Sequence, residues 1–395
     1  MKGRAVVVGG GVFGLSAALG LAETGRLRVR VLERGRVPHP DAASTDLSKV
    51  CRMEYGADAA YMELMEVARR GWLAWNRRWS AAGLDPLYHE TGVLMVCLRP
   101  MEPGGFEHDS FRLLEERGHR PERLGGAELA RRFPAWNEAF VDGFYHRLGG
   151  WAESGRVVER LAAEGVAAGV EIEEQAPARA VALDGERVVG VDRADGARVE
   201  ADVVVVAAGS WTGGVLSELA GSLRRTLHPV WHLRPREAHV FAGDRFPVFT
   251  ADVARTGYYG FPLHPHRRVV KIGNHGPGIE DGNGDGRVPE EATAGLREFL
   301  RARLPALADA EIVGDRLCPY CDTQDGDFWI AAHPQVAGLV VAAGGSGHGF
   351  KFAPVLRRLI ADAVEGRAAP PLERFGWRPT LRLEHGREAA RWHGD

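Results

Sequence analysis

The hydrophobic pattern at the start of the chain predicts a strand, a glycine turn, a helix and a second strand. Residues 4–8 form a short β-branched run, residues 15–23 have the apolar content of a buried helix, and residues 28–32 form a second strand that ends at Glu33. Two strands joined in this way by one helix are the βαβ unit of parallel sheets. We therefore expect the chain to open on such a unit.

Two later segments repeat this alternation of strand and helix. Residues 201–208 form a continuous apolar run, and Leu339–Ala343 form another, followed by a glycine turn and a helical pattern over residues 353–364. Continuous apolar runs are typical of parallel strands that are buried on both faces. The fold class predicted is α/β, with a discontinuous Rossmann-like domain made of residues 1–45, 151–221 and 318–395. The remaining segments, 46–150 and 222–317, are rich in aromatic residues and short strands, and predict a second, mixed-sheet domain that binds substrate.

The first turn has the spacing Gly9-x-Gly11-x-x-Gly14. In a dinucleotide-binding turn the first glycine permits the tight turn, the second lets the pyrophosphate approach the backbone, and the third allows the helix to pack closely on the strand. Glu33 follows at the position where ribose hydroxyls need an acceptor. The pattern indicates a dinucleotide site, and a glycine-rich structural turn is the alternative.

Composition restricts the partners and the compartment. The 395 residues include 50 basic and 53 acidic side chains, so the net charge of −3 gives no general attraction to nucleic acid or to an anionic membrane. Residues 5–22 are uncharged, but their glycines argue against a membrane span or a signal peptide. Four cysteines are too few for a disulfide framework. We expect a cytoplasmic protein with no nucleic-acid or membrane partner.

Five further motifs follow the glycine turn, and together they carry a family resemblance. They are residues 46–52 (DLSKVCR), 258–262 (YYGFP), 271–275 (KIGNH), 317–320 (LCPY) and 346–352 (SGHGFKF). With these motifs in order, nearly the whole chain resembles the D-amino acid oxidase superfamily of FAD enzymes. Within it, the sequence is similar to the group of monomeric sarcosine oxidases and fructosyl amino acid oxidases. The resemblance implies FAD as the cofactor and a monomeric enzyme.

The resemblance also implies the residues that hold the cofactor. Cys318 matches the cysteine that is covalently joined to the flavin in this group. Cys318 and Cys321 also have the C-x-x-C spacing of a redox or metal pair, but a second pair with zinc-ligand spacing is missing, and a free buried thiol is the alternative for Cys321. The other expected FAD contacts are Gly9, Gly11, Gly14, Glu33, Ser44, Gly209, Gly345, Gly347, His348, Gly349, Phe350 and Lys351.

Four residues are expected in catalytic positions from the same resemblance. Lys271 matches the lysine on the flavin face opposite the substrate, where a cation stabilises the charge that develops as oxygen is reduced. Its alternative is a strand lysine that turns toward solvent. Lys49 is expected near the flavin and the substrate nitrogen, with an ordinary turn lysine as the alternative. Tyr259 and His275 match active-site positions of the group.

Arg52 and Lys351 match the pair that binds the substrate carboxylate in sarcosine-type oxidases. An arginine supplies a planar fork of donors and a lysine adds a point charge. The alternatives are a surface salt bridge of Arg52 with Glu54 or Asp58, and a solvated cation at a helix start for Lys351.

Two positions depart from the sarcosine oxidases and bear on the substrate. Thr45 and Lys49 stand where those enzymes carry histidine and arginine. The run Asp46–Lys49 looks more like that of fructosyl amino acid and saccharopine-type oxidases. We therefore expect an N-substituted amino acid larger than sarcosine.

No metal site is expected. The histidines have no spacing that defines a metal set, and residues 281–286 imitate the start of a calcium loop whose twelfth position is Ala292 instead of glutamate. A flexible loop that gates the substrate is the interpretation of this segment.

The function implied is an FAD-dependent oxidase of a secondary amine that bears an α-carboxylate. A hydride would pass from the carbon next to nitrogen to flavin N5, the imine would hydrolyse, and molecular oxygen would be reduced to hydrogen peroxide. A dehydrogenase that passes electrons to a carrier is the alternative, and a non-catalytic flavin-binding subunit is a more distant one. The sequence leaves open the identity of the N-substituted amino acid, its stereochemistry and which C–N bond is cleaved.

Overall fold

A computed structural model describes residues 2–137, 139–280 and 287–378. The strands in these ranges are numbered along the chain as β1 (Gly3–Val8), β2 (Leu27–Leu32), β3 (Lys49–Cys51), β4 (Tyr88–His89), β5 (Val93–Cys97), β6 (Glu122–Arg123), β7 (Asp142–His146), β8 (Gly150–Ala152), β9 (Glu171–Glu173), β10 (Ala178–Asp184), β11 (Arg187–Arg193), β12 (Arg198–Glu200), β13 (Val203–Val206), β14 (Arg224–Arg234), β15 (Val248–Ala251), β16 (Tyr258–Gly260), β17 (Val270–Asn274), β18 (Ile279–Glu280), β19 (Glu311–Asp322), β20 (Trp329–Ala332) and β21 (Leu339–Ala343).

Helices of very different lengths connect these strands. Along the chain they are α1 (Val12–Glu23), α2 (Ala59–Ala81), α3 (Phe106–Glu116), α4 (Gly126–Arg132), α5 (Ser154–Ala167), α6 (Thr212–Val215), α7 (Val253–Thr256), α8 (Glu290–Arg303), α9 (Ala353–Val364) and α10 (Pro370–Arg374). Among the described residues, no helix combines the length and the apolar composition that crossing a membrane requires.

The first sheet contains the predicted βαβ unit. Its strand order is β20-β21-β13-β1-β2-β9, and all neighbours are parallel except β20, which runs antiparallel to β21. The valines of β1 and residues 204–206 of β13 are buried. Helix α1 contacts both strands and packs against α5 and α9, and β11 contacts β13. The predicted α/β class is confirmed, and so are the strand over Leu339–Ala343 and the helix over Ala353–Val364.

The second large sheet is mixed and carries most of the aromatic core. Its order is β18-β14-β17-β16-β15-β5-β7-β6, and β19 pairs with β14 over nearly the whole length of both strands. Its apolar side packs on a cluster that includes Trp136, Trp231, Phe241, Phe246 and Phe249. Large side chains of this kind fill the space between a sheet and the helices that cover it.

Two small sheets complete the fold. One consists of β10, β11 and β12, and the other of β3, β8 and β4. The short β3 is important for the site, because it holds Lys49 in an antiparallel pair with β8 and is followed directly by Arg52. The bounds expected for the two domains remain a prediction.

Candidate functional site

A cavity of about 640 Å³ lies beside the carboxyl ends of β1, β2 and β13. This volume is within the range of cofactor sites, about 300–1,000 Å³. The glycine turn after β1, the start of α1 and the glycine turn after β21 all contribute to its wall. The residues on the wall that were expected to bind FAD are Gly9, Gly11, Glu33, Ser44, Gly209, Cys318, Gly345, Gly347, Gly349 and Phe350.

The first glycine turn has no room for side chains. Gly9 has a φ of +109°, and a Cβ placed on it would lie 2.5 Å from the Ala207 carbonyl oxygen. Gly14 is off the cavity wall, and a Cβ there would lie 1.8 Å from the Gly9 oxygen. Gly14 therefore allows α1 to pack tightly on the turn, as expected, while Gly11 precedes the first residue of α1. The Ser44 hydroxyl accepts a hydrogen bond of 3.0 Å from the Val12 amide at this helix start.

Glu33 joins the end of β2 to the same turn. Its two carboxylate oxygens accept hydrogen bonds from the Gly10 amide at 2.7 Å and the Gly35 amide at 3.0 Å. Each oxygen has a second lone pair, which leaves capacity to accept from a hydroxyl group of a ligand. A close glycine backbone at a helix start and a fixed carboxylate fit the pyrophosphate and the ribose of a dinucleotide.

The cysteines in β19 are both buried and both free. The Cys318 sulfur lies 3.4 Å from the Lys49 ammonium nitrogen, at the cavity wall. Burial raises the pKa of the Cys321 thiol to about 12, so this group stays protonated near neutral pH. Within the described ranges no group of three or more His, Cys, Asp or Glu residues could hold a metal ion. The segment 281–286, interpreted from sequence as a gating loop, lies outside the described residues.

Lys271 is fully buried, with 1% of its surface exposed, so a solvent-facing strand lysine is excluded. Its ammonium nitrogen lies 2.6 Å from an Asp46 carboxylate oxygen and donates a 2.6 Å hydrogen bond to the Ser48 carbonyl. Burial lowers the pKa of Lys271 to about 8, although the Asp46 carboxylate opposes this shift. Lys271 is not on the cavity wall. It is linked to the wall through Asp46, which also lies 3.8 Å from the wall residue Lys49.

The expected residues Tyr259 and His275 lie near one aromatic side chain, Tyr320. Tyr259 hydrogen-bonds to Tyr320, and burial raises its pKa. The His275 and Tyr320 rings are 5.7 Å apart, and the His228 ring stacks on Tyr320 at 3.8 Å. Tyr320 lines the cavity beside Cys318, whereas Tyr259, His228 and His275 are off the cavity wall and approach it only through their contacts with Tyr320.

Arg52 and Lys351 meet at the ring of Tyr55. The guanidinium carbon is 5.3 Å from the ring centroid, and the Lys351 nitrogen is 4.6 Å from it and donates a 3.0 Å hydrogen bond to the Tyr55 hydroxyl. Arg52 is 6% exposed and Lys351 4% exposed. These values exclude a surface salt bridge for Arg52 and a solvated cation for Lys351.

The acidic neighbours of Arg52 in sequence have other partners. Glu54 pairs with His146 at 2.8 Å, and Asp58 pairs with Arg374 at 2.7 Å. Among the described residues, the Nη1 nitrogen of Arg52 is buried and has no hydrogen-bond partner. A buried cation with an unused donor is arranged to receive an anion.

His348 was expected to contact the cofactor, but it is not on the cavity wall. The Gly326 carbonyl can only accept, so His348 donates to it from Nε2 at 2.9 Å. Its Nδ1 lies 3.0 Å from the Tyr55 hydroxyl. His348 thus supports the tyrosine that Lys351 and Arg52 share.

Sequence reasoning missed the roles of Tyr55 and Asp46 in this arrangement. The rarity of lysine in the sequence is one signal that could have identified these charged residues. The chain has only four lysines, at positions 2, 49, 271 and 351, and arginine supplies the rest of its 50 basic residues. The three lysines within the fold all lie at this site. Lysine, unlike arginine, changes its pKa readily on burial, which makes such a bias informative.

Comparisons with known proteins agree with this geometry. A family model described as FAD dependent oxidoreductase (DAO) matches residues 4–363. The L-saccharopine oxidase of Schizosaccharomyces pombe is 26% identical, over 93% of this chain and 90% of that protein. The monomeric sarcosine oxidase of an Arthrobacter species is 25% identical, over 95% of this chain and 96% of that protein.

A solved structure gives the same result for the fold. The fructosamine oxidase Amadoriase II of Aspergillus fumigatus, in complex with FSA, superposes with a TM-score of 0.85 and 26% identity. The alignment covers 100% of this chain and 94% of that chain. The expected group and the expected class, an FAD-dependent amine oxidoreductase acting on CH–NH bonds, are confirmed. The chain belongs to the family of FAD dependent oxidoreductases, in the group that contains the sarcosine oxidases and the fructosyl amine oxidases.

Proposed function

We propose that this protein is an FAD-dependent oxidase of an N-substituted amino acid larger than sarcosine, with oxygen as the electron acceptor. The observation that carries the proposal is the buried Arg52 fork beside Lys351, with an unused donor at Nη1. A buried charged donor without a hydrogen-bond acceptor is unfavourable, and a substrate carboxylate would supply that acceptor to Arg52 Nη1. The relatives named for saccharopine and sarcosine, both secondary amines with a carboxylate, support this substrate class.

The residues on the cavity wall suit the FAD that members of this family bind. The turn at Gly9 and Gly11 would hold the pyrophosphate and Glu33 the ribose, while Cys318 would attach the flavin covalently. When bound, FAD supplies the two-electron acceptor for a hydride from the carbon next to the substrate nitrogen. The resulting imine hydrolyses in water.

The charged residues of the chain orient the substrate and stabilise developing charge. The planar fork of Arg52 would fix the carboxylate in a bidentate geometry, and Lys351 adds a point charge held in place by Tyr55. Lys271 and Lys49 would place positive charge near the site where oxygen is reduced to hydrogen peroxide. Tyr259 and His275 line the region next to Tyr320 and would contact the substrate's nitrogen substituent.

We also propose that the chain acts as a monomer in the cytoplasm. The support is compositional: the four cysteines are all free and buried, as expected for a reducing compartment. The proposed domain division, with residues 1–45, 151–221 and 318–395 binding FAD and residues 46–150 and 222–317 binding substrate, follows the two large sheets only in outline. Strand β19 belongs to the large mixed sheet through Asp322.

Assay of the purified yellow protein against a panel of N-substituted amino acids tests the proposal. We expect hydrogen peroxide in proportion to substrate consumed, with larger N-substituents preferred over sarcosine. Turnover only with an artificial dye, and no peroxide in air, would instead make it a dehydrogenase. Equal turnover of simple amines without a carboxylate would overturn the assignment of Arg52 and Lys351.

A further inference from the structure

One buried carboxylate contacts both lysines on the oxygen side of the proposed site. Asp46 is 1% exposed at its side chain, and its Oδ2 lies 2.6 Å from the Lys271 nitrogen and 3.8 Å from the Lys49 nitrogen. Its Oδ1 accepts from the Leu47 amide at 2.7 Å and lies 3.2 Å from His232 Nε2. The carboxylate therefore has a fixed orientation, with one oxygen directed to the two ammonium groups.

The backbone of Asp46 is held as firmly as its side chain. Its carbonyl accepts hydrogen bonds from the Ser154 hydroxyl at 2.8 Å and from the Gly155 amide at 2.9 Å. These bonds tie the segment before β3 to the start of α5. The backbone of Asp46 is thus held by contacts that do not involve the lysines.

The surrounding elements supply several other titratable groups. Lys271 is on β17, Lys49 on β3, His232 on β14 and Arg316 on β19, and all four act on the Asp46 carboxylate. Burial alone would raise the pKa of Asp46, but the charges of Lys271, Lys49 and Arg316 and the hydrogen bond with His232 hold it well below its usual range. Lys271 in turn faces Asp46, Lys49 and the Cys318 thiol, and Tyr259 also faces Asp46.

We propose that Asp46 is a positioning residue that couples Lys271 to Lys49, keeping Lys271 charged near neutral pH and making its protonation depend on the charge of Lys49. The inference rests on the proposed function for its significance, since Lys271 is the cation assigned to oxygen reduction there. The coupling itself is a property of the folded chain and can be measured without turnover.

Two substitutions move Lys271 in opposite directions. In Asp46→Asn, two ammonium groups remain close together with no carboxylate, so the pKa of Lys271 falls from about 8. An opposite charge at 4–6 Å shifts a pKa by about 1–3 units, so we expect a fall of at least about one unit. In Lys49→Met, a repelling cation is lost while Asp46 stays, so the pKa of Lys271 rises. A carboxylate with only a local structural role would leave the pKa of Lys271 unchanged in Asp46→Asn.

The small number of lysines makes the measurement direct. With ¹³C-labelled lysine, the holoenzyme has only four ε-carbon signals, from positions 2, 49, 271 and 351. Lys271→Met assigns the signal of Lys271, which is then followed through a pH titration in each variant. Asp142→Asn is the matched control, because Asp142 is also a largely buried aspartate but pairs with Arg123 at 2.6 Å.

The coupling predicts a lower titration midpoint for Lys271 in Asp46→Asn, a higher one in Lys49→Met, and no change in Asp142→Asn. An unchanged or raised midpoint in Asp46→Asn would overturn the inference. If Asp46→Asn does not fold, an unchanged midpoint in Lys49→Met overturns it equally. The titration needs no substrate, so the two proposals can fail separately. Shifted midpoints without peroxide formation would reject the proposed function and leave the coupling intact. Peroxide formation with unchanged midpoints would reject the coupling and leave the proposed function intact.

Discussion

The Lys49 ammonium nitrogen lies 3.4 Å from the sulfur of Cys318, on the wall of the cavity that suits FAD. The sulfur expected to carry the flavin therefore has a basic side chain as its direct neighbour. Cys321, three residues along the same strand, is a buried thiol whose pKa is raised to about 12. The two cysteines therefore differ in the chemistry that their surroundings favour.

We predict that flavin stays attached to the polypeptide after acid denaturation. Cys318→Ala should release the colour into the filtrate or bind FAD only reversibly, because the linking sulfur is lost. Cys321→Ala should keep the colour on the protein, since burial keeps its thiol protonated near neutral pH. Absorbance of filtrate and retentate measures both results. Yellow filtrate from the unmodified protein would refute the covalent link.

Removal of the Lys271 charge should slow reoxidation far more than reduction by substrate. Loss of one preorganised group that stabilises developing charge costs about 2.7–4 kcal/mol, so Lys271→Met should lower the rate of the oxidative half-reaction by roughly a hundredfold or more. Stopped-flow measurement of each half-reaction separates the two effects. Lys2→Met, at the exposed fourth lysine, should change neither rate. Equal losses in both half-reactions would show that Lys271 has a structural role.

The carboxylate assignment predicts coupled losses at Arg52. A neutral amide of a good substrate leaves the buried cations without their anion, at about 1.5–3 kcal/mol for each charged hydrogen bond, so kcat/KM should fall by one to several powers of ten. Arg52→Lys should also be poor, because an ammonium group lacks the planar fork.

The two losses should overlap rather than add. An amide substrate should be much less sensitive to Arg52→Lys than the acid is, as expected when two changes remove the same contact. Steady-state kinetics of both enzymes with both substrates gives the double-mutant comparison. Strict additivity would place Arg52 away from the carboxylate.

Gly14 is off the cavity wall, yet its replacement should abolish the holoenzyme. A Cβ at this position would lie 1.8 Å from the Gly9 oxygen, so Gly14→Ala must push α1 away from the turn. Overpacking of this kind costs about 1–3 kcal/mol or more, and it displaces the amides at the helix start. Gly125→Ala, where no atom lies within 4 Å of the added carbon, is the matched control. Bound flavin per chain and the thermal midpoint are the measurements.

Stability should depend on acid pH through Glu153. Burial alone would raise the pKa of Glu153, but hydrogen bonds from His89 and Arg156 lower it to about 2. Its folded pKa is below its ordinary value of 4.5, so the stabilisation is complete above about pH 4.5 and is lost as pH falls toward 2. Glu153→Gln should cost about 2–3 kcal/mol at pH 7 and progressively less in acid.

Denaturation at a series of pH values measures this dependence, with the exposed Glu186→Gln as the control. A difference between Glu153→Gln and the unmodified protein that stays constant from pH 7 to pH 3 would contradict it.

Local sequence patterns were enough to predict the elements of the nucleotide-binding unit. Their signals are local. The β-branched runs give buried strands, and the glycine spacing reports a turn in which backbone atoms leave no room for a Cβ at Gly9 or Gly14. The motifs also named Cys318, Lys271, Arg52 and Lys351 through the family they resemble. All of this depends on residues that are adjacent in the chain.

The charges that meet, and the charges that are buried, follow from the way distant strands pair. The alternation of side chains along β17 would allow Lys271 to lie on either face of the sheet. In the structure β17 pairs with β14, and Lys271 lies on the face that contacts Asp46. Arg52 has Glu54 nearby in sequence, but Glu54 pairs with His146, which leaves the arginine donor unused. The pKa of a buried lysine and the unused donor of a buried arginine both depend on side chains that come from distant strands. A local sequence pattern contains no information on the distances to those side chains.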